Sequence, residues 1–134
     1  MSDPTVILGL DIGDRHIGVA IGNTITHTAT PLPDLPNSDS LTKKLLALHE
    51  EYSFSKIIVG LPVTTTGQHG SQAQKVESLV EEMRACLPIE IILEDERFTT
   101  QSASKFLANN PTVKATIDGI SAKFILEEWL NRIA

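Results

Sequence analysis

The feature that most constrains this chain is the run Val6-Ile7-Leu8-Gly9-Leu10, which offers no polar side chain on either face and closes on Asp11. Strands that are apolar on both faces belong in sheets covered by helices on both sides, whereas a sheet with one wet face alternates apolar and polar positions. Ile57-Ile58-Val59, closing on Gly60-Leu61-Pro62, repeats the pattern and fits a central parallel strand. Residues 89–93 form a third buried-strand run, ended by Glu94-Asp95-Glu96-Arg97. Helical spacing fills the intervals. Leu41, Leu45, Leu48 and Tyr52 follow the cap-rich Ser38-Asp39-Ser40. Val76, Leu79, Val80, Met83 and Leu87 share one helical face, after Ser71 and Gln74 at capping-box spacing and before Pro88.

Ile17, Val19 and Ile21 alternate with Gly18, Ala20 and Gly22, and residues 26–32 are rich in β-branched side chains until Pro31 and Pro33 stop them. These runs predict a three-stranded antiparallel meander. Two further helices are expected at about residues 99–108 and 118–132. The order is βββαβαβ followed by two helices, with no linker or repeat. Right-handed crossovers then set the later strands beside the first. The expectation is an α/β domain spanning 1–134, with a five-stranded mixed sheet flanked by helices in the order of the ribonuclease H-like fold.

A chain of 134 residues has room for one ordinary domain and buries roughly two-thirds of its unfolded surface. No apolar run approaches the ~18 residues of a membrane span and no signal segment opens the chain, so a cytoplasmic protein without a membrane partner is expected. Cys86 is the only cysteine, which excludes disulfides and thiolate clusters; its place in a helical pattern predicts a core position. The formal net charge of −6 argues against coating nucleic acid through a broad basic surface. A local site stays open, because divalent cations held by clustered acids bring positive charge to where a phosphate must lie.

Asp11, at the end of an apolar strand, must be solvated, paired or bound to a cation, or it simply shapes the Asp-Ile-Gly turn. In open α/β sheets ligands bind at the C-terminal strand ends, where Asp11 stands. Alternate residues of Glu94, Asp95 and Glu96 face opposite sides, so only one or two of them can share a site with Asp11; otherwise they form a solvated turn. Asp118 opens the last helix, as its N-cap or as a third acid of the same site. The topology brings two strand ends and a helix start to one sheet edge. Clustered carboxylates repel one another and are sustained by hard cations such as Mg2+. Two such ions about 4 Å apart activate water and stabilise the leaving oxygen in phosphodiester cleavage, with no Ser, Cys or His nucleophile. His27 and His49 read as surface or packing residues, and His16 and His69 as loop residues near substrate. Arg97 either clamps a phosphate or pairs with a neighbouring acid. Thr66 and Gly67 offer a hydroxyl and a backbone N–H to a phosphate, or form an ordinary surface loop. Lys114 and Lys123 flank Asp118 as candidate nucleic-acid backbone contacts.

These residues carry a specific resemblance. Gly9-Leu-Asp-Ile-Gly13 with Ile17-Gly-Val-Ala20, Ile58-Val-Gly-Leu-Pro62 with Gly67, Asp95-Glu-Arg-Phe-Thr-Thr100, and Asp118-Gly-Ile-Ser-Ala122 before Ile125-Leu126 resemble the YqgF/RuvX family over nearly the whole chain. The resemblance implies a ribonuclease H-like nuclease with Asp11, Glu96 and Asp118 as metal-binding and catalytic acids and Mg2+ or Mn2+ as cofactor. It implies 5′-end maturation of the small-subunit (pre-16S) ribosomal RNA precursor, or resolution of Holliday junctions in branched DNA. The partners implied are nucleic acid and the ribosome or pre-ribosome, for a monomer or homodimer. Family members often have a basic residue where His16 stands and an Asn-Met-Asp type sequence at Thr64-Thr65-Thr66. The rival classes are a nucleotide-binding module of the actin and sugar-kinase sort, which shares the Asp-Ile-Gly pattern, and a non-catalytic binding protein of the same fold.

Overall fold

The computed structural model describes residues 3–62, 70–96 and 99–133, apart from the side chains of residues 96 and 99–101. Nine elements follow in the expected order among the described residues: β1 (Asp3–Ile12), β2 (His16–Asn23), β3 (Thr28–Pro36), α1 (Leu41–Tyr52), β4 (Phe54–Pro62), α2 (Ser71–Cys86), β5 (Glu90–Glu96), α3 (Thr99–Asn109) and α4 (Ile117–Ile133). They form a five-stranded sheet of order β3-β2-β1-β4-β5. The β1–β2 and β2–β3 pairs are antiparallel, and β1–β4 and β4–β5 are parallel.

The apolar runs lie where their composition requires, since β1 and β4 are the inner strands of the parallel part and are covered on both faces. Leu8, Leu10 and Ile12 of β1 point to one side, with Ile57, Val59 and Leu61 of β4, beneath Leu45 of α1 and Val76, Val80 and Met83 of α2. Ile7 and Ile58 point to the other, beneath Ala122, Ile125, Leu126, Trp129 and Leu130 of α4. The period of two along the strands therefore divides the core into an α1/α2 layer and an α4 layer.

Three local expectations are corrected. Pro31 and Pro33 do not stop β3, which runs to Pro36, because β3 is an edge strand whose outer N–H groups need no sheet partner. Cys86 is exposed, not core: it is the last residue of α2 and falls beside the face carried by Val76, Val80 and Met83. The N-cap of α2 is Gly70, with Ser71 inside the first turn and no side-chain capping bond. No helix among the described residues is long and apolar enough to cross a membrane.

Candidate active site

Asp11 is the last but one residue of β1, half-buried, and lies directly across from Gly18 of β2. Residues opposite one another in an antiparallel pair share a face. The Gly18 face is identified by its neighbour, because a Cβ built on Gly18 would run into the backbone carbonyl of Asp118. Asp11 thus stands on the α4 face, beside the point where the first turn of α4 presses on the sheet. Only a residue without a side chain permits that approach.

The start of α4 is built differently from the expectation for Asp118. Thr116 is the N-cap: its Oγ1 accepts the Gly119 N–H at 2.9 Å. The Thr116 hydroxyl donates to Asp34 Oδ1 at 2.8 Å. Asp118 is thereby released from capping and sits in the first helical turn, half-buried. Its carboxyl is held above the ordinary aspartate range, first by burial and then by the neighbouring negative charge of Asp34, with His16 pulling the other way. His16 is not in a loop as expected: it is the first residue of β2, paired with Pro36 of β3, and it is exposed there.

The register of β5 separates its three acids. Ile92 pairs with Ile58 of the α4 layer, Leu93 with Val59, Glu94 with Gly60, Asp95 with Leu61 and Glu96 with Pro62. Asp95 therefore shares the α1/α2 side with Leu61 and is exposed there. Glu94 lies on the α4 side, only 3% exposed, with Oε1 2.5 Å from Arg132 Nη2, so it is engaged with the end of α4. Glu96 occupies the last register position of the strand, and its side chain lies outside the described residues. Arg97, Thr66, Gly67 and His69 lie outside them too.

Lys114 is exposed and, with Pro33, Asp34 and Thr116, lines a cavity of about 470 Å³ against the start of α4. Lys123 is turned inward to Glu127 Oε1 at 2.7 Å and lies within 5.7 Å of the Phe106 and Phe124 ring centres, which makes it a packing residue. His49 packs edge-on against Phe54, in line with its packing assignment.

The donor chemistry fits a hard divalent cation. Asp11 and Asp118 flank the bare backbone of Gly18, and Asp34 crowds Asp118 with a further negative charge that a cation would relieve. Among the described residues no three potential ligands are gathered into a complete metal set, and the Glu96 carboxylate is not among those residues.

The architecture defines the class. It matches Thermus thermophilus RuvC, solved with a Holliday junction substrate, with a TM-score of 0.61 at 12% identity over 96% of each chain. A fowlpox virus Holliday junction resolvase matches with a TM-score of 0.52 at 14% identity, over 96% of this chain and 99% of that one. The fold is ribonuclease H-like. At the family level, the model described as "RuvX: Holliday junction resolvase" matches residues 5–132, and the chain belongs to this family. A relative from Sulfurihydrogenibium sp. (strain YO3AOP1), provisionally named a pre-16S rRNA nuclease, is 42% identical over 96% of this chain and 91% of its own. Proteins bearing the same name are 36% identical in Roseiflexus sp. (strain RS-1), over 97% and 96%, and 38% identical in Ruminiclostridium cellulolyticum, over 96% and 95%.

Proposed function

We propose that the chain is a divalent-metal-dependent nuclease that hydrolyses phosphodiester bonds in the cytoplasm, maturing the 5′ end of the small-subunit rRNA precursor within one domain spanning residues 1–134. The observation that carries this is that Asp11 and the start of α4 with Asp118 meet on one face of the sheet at Gly18, at the strand ends where α/β folds bind ligands. Glu96 is the third acid that the family resemblance implies; of its neighbours, Asp95 shares the opposite side with Leu61 and Glu94 pairs with Arg132. Asp11, Glu96 and Asp118 would hold Mg2+ or Mn2+. Bound there, the cations supply an activated water and neutralise charge on the leaving oxygen.

The protein's own part is to bring the backbone of Asp118 onto Gly18, the cross-strand partner of Asp11. Lys114, at the rim of the adjoining cavity, would contact a nucleic-acid backbone, with Arg97, Thr66 and Gly67, which lie outside the described residues, as the further substrate contacts. Hydrolysis leaves a 5′-phosphate and a 3′-hydroxyl. The names borne by the curated relatives support an rRNA precursor as substrate, and the ribosome or pre-ribosome as its setting.

Cleavage of a Holliday junction is the second possibility, supported by the description of the family model. A symmetric junction needs two cuts, hence a homodimer, whereas a single RNA end is served by a monomer. The test sets a 5′-extended rRNA precursor beside a four-way DNA junction, with purified protein and Mg2+. Specific trimming of the precursor alone is expected. Paired symmetric nicks in the junction with an untouched precursor would reverse the assignment, and no cleavage of either would remove it.

A further inference from the structure

Residues 113, 114, 116 and 117 are exposed, and burial in α4 begins only at Gly119. The helix start that carries Asp118 therefore has little apolar anchorage, and a polar linkage supplies it from β3. That strand carries a bulge: Ile17 pairs with Leu35 but Val19 pairs with Leu32, so Pro33 and Asp34 together face the single residue Gly18. The extra residue brings the Asp34 carboxylate to Thr116, whose hydroxyl donates to it. A hydroxyl has one proton, so donating to Asp34 fixes the rotor and leaves its lone pairs for the Gly119 N–H.

We propose that Asp34 is a positioning residue for the cation site, acting through Thr116 to fix the first turn of α4 and with it the carboxylate of Asp118. This rests on the nuclease assignment, because Asp118 must be a ligand for its placement to matter. Asp34 and Asp118 bear like charges at close quarters, and the Thr116 hydroxyl is what holds Asp34 to the helix start. An asparagine at position 34 keeps an acceptor for this hydrogen bond, whereas alanine does not.

The test uses the full chain, with Mg2+ titrated against the backbone amide signals of Asp118 and Gly119 and with kcat and KM measured on a 5′-extended precursor. Asp34→Ala and Thr116→Val should each raise the Mg2+ midpoint roughly 10- to 100-fold, as loss of a ligand-orienting hydrogen bond does, and lower kcat while leaving KM alone. Thr116→Ser should bind Mg2+ close to the wild-type midpoint and Asp34→Asn should stay much closer to it than Asp34→Ala does, and the Asp34→Ala/Thr116→Val double variant should be no worse than the weaker single one. Should Asp34→Ala fail to fold, Thr116→Val against Thr116→Ser makes the same comparison. Asp34→Asn as impaired as Asp34→Ala would overturn the proposal, because the charge would then act on the cation directly. So would a wild-type midpoint in Asp34→Ala. A wild-type protein whose Asp118 ignores Mg2+ would instead bring down the nuclease assignment beneath it.

Discussion

The backbone carbonyl of Asp118 rests on Gly18, and Gly18 is the cross-strand partner of Asp11. Two acids separated by most of the chain are thus joined through one residue that has no side chain, and the geometry of the site is sensitive to that position.

Gly18→Ala should damage the protein more than Gly22→Ala. A Cβ at Gly18 meets backbone, which cannot rotate away, whereas at Gly22 it meets Leu126 Cδ2 at 2.8 Å and Leu130 Cδ1 at 3.1 Å, the ends of flexible side chains. Overpacking of the rigid kind costs about 1–3 kcal/mol. Thermal melts should show the larger loss for Gly18→Ala, together with weakened Mg2+ binding; equal losses would argue against a close contact at Gly18.

Asp11→Asn, Glu96→Gln and Asp118→Asn should each abolish cleavage while the chain stays folded, and Asp95→Asn should remain active because Asp95 lies on the opposite side of β5. Cleavage assays with circular dichroism as a folding control decide this. Full activity in Asp11→Asn, or an inactive Asp95→Asn, would contradict the assignment.

Arg132→Ala should destabilise by about 1–3 kcal/mol by leaving the buried Glu94 carboxylate without its cation. Adding Glu94→Gln to Arg132→Ala should recover part of that loss, since the uncompensated charge is removed. Urea denaturation of the two variants measures the recovery.

The raised carboxyl of Asp118 gives a pH dependence of definite sign. An acid whose folded value exceeds its unfolded one binds its proton more tightly in the folded protein. The metal-free protein therefore loses stability as pH climbs from the ordinary aspartate range through the raised folded value, and changes no further above it. Mg2+ competes with that proton, so its apparent affinity should rise across the same window. Melting curves of wild type minus Asp118→Asn, recorded against pH with and without Mg2+, isolate the effect. A difference that increases stability with pH in the metal-free pair would contradict it.

Much of this was legible from local pattern. The apolar runs at β1 and β4 could be satisfied only between two layers of helices, and the strand and helix order followed from changes of period along the chain. The errors were also physical. Pro31 and Pro33 read as stops because a proline lacks a donor, but whether a donor is needed depends on β3 being an edge strand, which is a property of the assembled sheet. Thr116 and Asp118 are both capping residue types at the head of the last helix, and only the folded backbone, which turns the Gly119 N–H to the Thr116 hydroxyl, decides between them.

By itself the sequence determined that acids would stand at the ends of buried strands and at the head of the last helix, since period and polarity act over a few neighbouring residues. It also carried the four segments that tie the chain to its family. Only the tertiary structure decided that Glu94 turns to Arg132 and Asp95 to the opposite side, and that Thr116 at the start of α4 meets Asp34 of β3. Those outcomes depend on strand register and on the bulge in β3, which are set when distant segments pair and cannot be read from either segment alone.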